Sequence, residues 1–133
     1  MATPALTVSR LDPLAVLELL KPITWFPPMW ALACGVVSSG FDGSLDRWPL
    51  VVVGILLAGP LVCGTSQAVN DWFDRHVDAI NEPNRPIPSG RIPGRLGLVI
   101  AIVWTLLSLA VSTFLGIWGV LATVVGLVLA WAY

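Results

Sequence analysis

Asn70, Asp74 and Asp78 fall at i, i+4 and i+8 of the segment NDWFDRHVDAINEPNRPIPSG, Asn70 to Gly90. On a helix this spacing makes one stripe of oxygen ligands. Two carboxylates one turn apart repel each other, and a divalent cation between them reverses the sign. Mg²⁺ takes one or two carboxylates together with phosphate oxygens and water. The ligand implied is a phosphate-bearing substrate. Asp71 points about 100° away from Asn70 on a helix, so it reads as a flank of the stripe. The loop from Ile80 to Gly90 carries Pro83, Pro86 and Pro88 and cannot be regular helix. Arg85 is its only basic residue, and a planar guanidinium fork suits phosphate oxygens. A stiff loop that holds one Arg opposite two carboxylates has the form of a diphosphate clamp. His76, the only histidine, lies off the stripe without partner ligands, and Arg91 follows the loop; both are flanking candidates. The same charges also fit a solvated loop that merely fixes topology.

The segment stands out because its surroundings are apolar. It holds four of the eight acidic residues in a chain of 133 that is 56% hydrophobic and 11% charged, with a mean hydropathy of +0.85. Soluble domains carry about 25% charged residues, so composition places the chain in the membrane class. The net charge of −1 and the lack of a basic patch give no sign of nucleic acid. Cys34 and Cys63 both lie in apolar runs and read as small buried or lipid-facing residues.

The elements that must position the charged segment follow from the apolar runs. Residues 1–9 read as a disordered start and not a secretory signal. Residues 10–21 (RLDPLAVLELLK) read as a short amphipathic helix at the membrane surface, with Asp12 as N-cap and Pro13 at N1. Its outward face would carry Leu14, Leu17 and Leu20 or Val16. Residues 22–41 are uncharged, long enough for a first span of about 20 residues, with Pro27-Pro28 kinking or delaying the helix. Residues 48–70 form a second span, with Gly54, Gly59 and Gly64 allowing close packing and Pro60 suggesting a bend. Residues 71–95 form the charged helix end and loop. Residues 96–115 and 117–133 are third and fourth spans, with Gly116 as a tight turn. Arg10, Lys21, Arg75, Arg85, Arg91 and Arg95 all fall on one side of this arrangement, which places the N-terminus and the 71–95 loop in the cytoplasm.

The run NDWFDRHVDAINEPNRPIPSG resembles the first aspartate-rich motif of the UbiA-type intramembrane prenyltransferases. Within them it is similar to the chlorophyll and bacteriochlorophyll synthases, which share the DAINEPxRPIPSG pattern that stands here as Asp78 to Gly90. KPITWFPPMWA, Lys21 to Ala31, resembles the start of the first span in that subgroup, and GRIPGR, Gly90 to Arg95, resembles its bacteriochlorophyll branch. The similarity covers roughly residues 17–133. It implies an all-α, polytopic transmembrane helix bundle of nine helices, of which about four spans are present. It implies Mg²⁺ and an isoprenoid diphosphate, geranylgeranyl or phytyl, held between two aspartate-rich motifs. Asn70, Asp74 and Asp78 would be metal ligands, Asp74 and Asp78 catalytic, and Asn70 and Arg85 diphosphate contacts. The acceptor would be the propionate carboxylate of a chlorophyllide-type tetrapyrrole, and the location a bacterial cytoplasmic, photosynthetic membrane.

The chain departs from the family pattern in having only four apolar runs, no second aspartate-rich motif and no charge after Arg95. It reads as the N-terminal part of a longer protein that does not complete the site alone. Three other readings stand beside the synthase: a family member with a quinone precursor, haem or lipid acceptor, a truncated non-catalytic membrane module, and a small transporter with an intramembrane carboxylate pair.

Overall fold

A computed structural model describes residues 11–133. The expected disordered start, residues 1–9, and Arg10 of the expected amphipathic helix lie outside the described residues. Among those described, every regular element is helical.

Helix α1 (Pro13–Leu20) begins as its local chemistry dictates. The Asp12 carboxylate accepts from the backbone N–H of Leu14 at 3.0 Å, and Pro13 fills a first-turn position where no N–H is needed. Leu14 and Leu17 are exposed, whereas Ala15, Leu19 and Leu20 are buried. Leu20 therefore belongs to the core and not to the outward face expected for it. The helix is apolar nearly all round, so tertiary packing chooses the inward stripe. The small Ala15 and Ala68 let that stripe gather with Val69, Ile100 and Ala101 in one cluster. Lys21 ends α1 in the left-handed conformation, φ +47°. For a residue with a Cβ this costs about 1–2 kcal/mol. Several bonds fix the turn: Thr24 Oγ1 donates to Lys21 O at 2.8 Å and Trp25 Nε1 to Leu20 O at 2.7 Å.

A 3₁₀ turn (Pro22–Thr24) leads into α2 (Phe26–Ser38). Pro27 and Pro28 sit in the first turn of α2, so they delay the helix and do not kink it. Next, α3 (Trp48–Leu56) and α4 (Gly64–Phe73) form one 26-residue run through a π-helical stretch, Leu57–Cys63, around Pro60. The bend expected at Pro60 is thus a widened turn. Gly64 N–H reaches back to Gly59 O, and the carbonyl of Pro60 accepts from Trp104 Nε1 at 3.1 Å. A neighbouring side chain supplies the donor that the shifted ladder withdraws.

Helix α5 (Arg75–Asn81) follows α4 directly. Helices α6 (Leu96–Ser112) and α7 (Gly116–Ala132) form a hairpin that reverses at Gly116, φ +72°. Trp131 near the end of α7 donates to Thr105 Oγ1 in α6 at 3.0 Å, which fixes the antiparallel pairing. Helix α4 packs between them: Trp104 of α6 reaches Pro60, and Phe73 meets Trp131 edge-on with ring centroids 6.5 Å apart. The outer faces of α6 and α7 expose Val99, Ile102, Leu106, Val125, Val128 and Leu129. The runs Trp48–Phe73 and Leu96–Ala132 are long and apolar enough to cross a membrane, the second as a folded pair of arms.

Gly97 sets how closely the loop after α5 lies on the bundle. A Cβ there would sit 2.7 Å from Ile87 Cδ1 and 3.3 Å from Trp72. Gly97→Val is expected to destabilise by about 1–3 kcal/mol, as overpacking does, and Ile87→Ala should recover part of the loss. Thermal unfolding of the detergent-solubilised protein checks both; an unchanged midpoint for Gly97→Val would remove the close-packing argument.

Candidate functional site

The end of α4 and the whole of α5 carry the expected ligand residues, but not on one unbroken stripe. The helix is interrupted at Asp74 (φ −82°, ψ −1°), although Asp74 N–H still bonds to Asn70 O and Asp78 N–H to Asp74 O. Asn70 and Asp74 pair with each other on the more open side, Asn70 Nδ2 donating to Asp74 Oδ2 at 3.0 Å. Asp78 turns inward and is 7% exposed.

Its inward partner is Asp71, which is only 2% exposed. Arg85 Nη1 lies 2.9 Å from Asp78 Oδ2 and 3.3 Å from Asp71 Oδ1. Lys21 Nζ lies 2.7 Å from the same Asp71 oxygen. Arg85 Nε also pairs with Glu82. Asp71 is therefore a centre of the cluster and not a flank. Residues seven apart on a helix differ by about 700°, which is 20° short of two full turns, so Asp71 and Asp78 share a face that a four-residue rule passes over. Lys21 was absent from the expected site altogether. One signal for it exists: it is the only lysine of the chain and stands immediately before an uncharged run.

Charges in so buried a place need partners, because breaking one buried ion pair typically costs about 3–5 kcal/mol. Lys21 and Arg85 supply them from two separate elements. The Glu82 bond, reinforced by Asp71 and Asp78, holds the Arg85 guanidinium still further towards its charged form. Asp71 Oδ2 is buried and has no hydrogen-bond partner among the described residues. The cluster thus has an acceptor left over.

The remaining candidates lie apart. His76 is exposed. Arg75 folds back over the Trp72 ring, 4.1 Å from its centroid, and donates to Trp72 O at 2.6 Å. Arg91 grips Glu18 of α1 through two nitrogens, at 2.6 and 3.0 Å. That bond draws the Glu18 carboxyl below its ordinary value. Cys34 and Cys63 are free thiols, and Cys63 Sγ donates to Thr24 O at 3.4 Å.

The donor set is all oxygen, which suits a hard cation over zinc or copper. Among the described residues no three metal-capable side chains converge into a ready cage. One or two such carboxylates could supply part of the shell of a hard divalent cation, with phosphate oxygens and water completing it. Two apolar cavities lie in the bundle, one of them near the site. One, of about 380 Å³, is lined by Pro28, Leu32, Leu57, Ala122 and Thr123 away from the charges. The other, of about 350 Å³, runs along Cys63 and Ser66, and Ser66 is one helical turn before Asn70.

A family model described as the UbiA prenyltransferase family matches residues 19–133. The chain is 65% identical over 122 residues to the bacteriochlorophyll synthase 33 kDa chain of Cereibacter sphaeroides, covering 92% of this chain and 40% of that protein. The corresponding protein of Rhodobacter capsulatus is 64% identical over the same shares. The chloroplastic chlorophyll synthase of Avena sativa is 44% identical over 105 residues, 77% of this chain and 27% of that protein. The chain spans about 40% of the length of the first two. No solved structure matches it.

Proposed function

Since the chain belongs to the UbiA prenyltransferase family, an all-α integral membrane fold, we propose that it is part of an enzyme that esterifies a chlorophyllide-type tetrapyrrole with an isoprenoid. The donor is a geranylgeranyl or phytyl diphosphate, and the acceptor is the propionate carboxylate of a (bacterio)chlorophyllide. One observation carries most of the weight. The buried pair Asp71 and Asp78 meets Arg85 of the Pro-rich loop at the polar end of an otherwise apolar bundle. The relatives named above support the choice of acceptor.

Asn70, Asp74 and Asp78 would hold Mg²⁺, which when bound neutralises charge developing on a departing diphosphate. Arg85, held beside Asp78 and Asp71, would bind the diphosphate oxygens next to that metal, and its approach is fixed by the acids around it. The bond between isoprenoid C1 and the diphosphate oxygen breaks, a bond from C1 to the propionate oxygen forms, and pyrophosphate leaves. The acceptor carboxylate is already ionised near neutral pH, so it needs no activating base. The apolar residues beside Ser66 and Cys63 would form part of a wall that keeps out water, which would otherwise give the prenyl alcohol. Helices α2, α3–α4, α6 and α7 would provide four of nine crossings. The end that carries Lys21, Arg75, Arg85 and Arg91 would face the cytoplasm of a bacterial membrane.

The test uses the full-length protein in detergent or native membranes. Ester should form from geranylgeranyl or phytyl diphosphate and bacteriochlorophyllide, cease when a chelator strips divalent metal, and return with Mg²⁺. Prenylation of a quinone precursor, haem or lipid headgroup in place of the tetrapyrrole would move the acceptor assignment to another branch of the family. Full ester formation in excess chelator would remove the metal from the reading.

A further inference from the structure

Arg91 makes four hydrogen bonds through three nitrogens. Nη1 and Nη2 grip the Glu18 carboxylate at 2.6 and 3.0 Å, Nη2 also donates to Asn84 O at 2.8 Å, and Nε donates to Ser89 Oγ at 3.2 Å. The Asn84 carbonyl belongs to the peptide that joins Asn84 to Arg85. A continuous chain of contacts therefore runs from α1, through Glu18 and Arg91, into the backbone at Arg85, and on to Asp71 and Asp78. Helix α1 also supplies Lys21, three residues after Glu18. One short helix thus fixes both cations of the buried cluster, Lys21 directly and Arg85 through Arg91.

We propose that Arg91, with Glu18 as its counter-ion, is a positioning residue that sets Arg85 for diphosphate binding. It rests on the prenyltransferase reading above. The side chains of Arg91 and Glu18 are 38% and 51% exposed. Exposed ion pairs add little to stability, about 0–1 kcal/mol. A merely structural role is therefore a poor reason for four bonds on one side chain, one of them to the peptide that carries Arg85. The geometry also demands a fork: a lysine keeps the charge but cannot bridge Glu18, Asn84 and Ser89 together. The pairing is longest in sequence where it matters most, joining residues 73 apart. Removing it frees the loop to move Arg85 while leaving Arg85 itself intact.

The test compares Glu18→Gln, Arg91→Gln, Arg91→Lys and the double variant Glu18→Gln/Arg91→Gln in the full-length protein. The readouts are KM for the isoprenoid diphosphate, kcat at saturation, the binding of Mg²⁺ with inorganic pyrophosphate, and the melting temperature. KM and the pyrophosphate Kd should rise about tenfold in each, the size of effect expected when a group that orients a ligand-binding residue is lost. The value of kcat and the melting temperature should stay at wild type, and the double variant should be no worse than Arg91→Gln, because both changes cut one link. Should Arg91→Gln fail to fold, Glu18→Gln and Arg91→Lys carry the same test. Wild-type KM and Kd in these variants, or a loss of melting temperature that accounts for the loss of binding, would overturn the assignment. Asp78→Asn in parallel separates the two ideas. Near-normal turnover there sinks the prenyltransferase site, whereas its loss beside unaffected latch variants sinks only the role of Arg91.

Discussion

Asp78→Asn in the full-length enzyme is expected to lower prenyl transfer by on the order of 10²–10³-fold, the scale seen when one preorganised electrostatic contact is lost. Asp78 is 7% exposed and already engages Arg85 at 2.9 Å. The amide has almost the same shape, so packing changes little. Its charge is gone, however, and one acceptor oxygen becomes a donor nitrogen. The amide can still turn its oxygen to the guanidinium, but a neutral acceptor holds it less strongly than a carboxylate, and Arg85 is then drawn mainly to Asp71 and Glu82. A divalent cation at this place loses a carboxylate at the same time. The assay is initial-rate ester formation at saturating donor and Mg²⁺, with retained helical content as the control. Asp74→Asn, on the open side with Asn70, probes the other half of the proposed ligand set. If Asp78→Asn turns over near the wild-type rate, Asp78 is a structural acid.

The second large effect concerns stability. Lys21→Met leaves Asp71 2% exposed with only the longer contact from Arg85. Breaking a buried pair by removing one partner costs about 3 kcal/mol at the lower end of the usual range, which suits a lysine side chain that is 25% exposed. The paired change Lys21→Met/Asp71→Leu removes both charges and should regain most of that stability. It should not regain activity, because Arg85 has lost one of the acids that orient it. Denaturant unfolding in detergent measures the first statement and the ester assay the second. A Lys21→Met protein as stable as wild type would mean that Arg85 alone satisfies Asp71.

What was legible in the sequence was mostly local. The Asp12–Pro13 start of α1 and the reversal at Gly116 follow from chemistry within a few residues of each point. The spans follow from long uncharged runs, the all-α class from the family resemblance, and the Pro-rich loop from prolines that forbid helix. Two placements are not legible locally, for a common physical reason. Whether Leu20 faces in or out is decided by what α1 packs against, and a segment apolar on most sides does not say. Asp71 looked peripheral because its neighbours in sequence point elsewhere, while its partner Lys21 is 50 residues away. Arg85 could be singled out as the lone cation of a stiff loop, but its choice between Asp71, Asp78 and Glu82 is tertiary. The latch from Glu18 to Arg91 was likewise invisible, since nothing local links the two residues.

The π-helical stretch at Leu57–Cys63 has a bearing on how this segment tolerates insertions and deletions. Each residue added to or removed from a helix rotates everything beyond it by about 100°. A wide turn holds a residue more than an α-helical turn would, so the azimuth of Asp71 and Asp78 depends on that surplus. A one-residue deletion between Leu57 and Cys63 would leave hydropathy and helix content almost untouched. It would nevertheless swing both aspartates, and the Arg85 loop that follows them, away from Lys21 and bring other residues of α4 to face α1. Length in this stretch is therefore as strict a requirement as residue type, and a homologue one residue shorter here would have to regain the lost phase before reaching its acidic cluster.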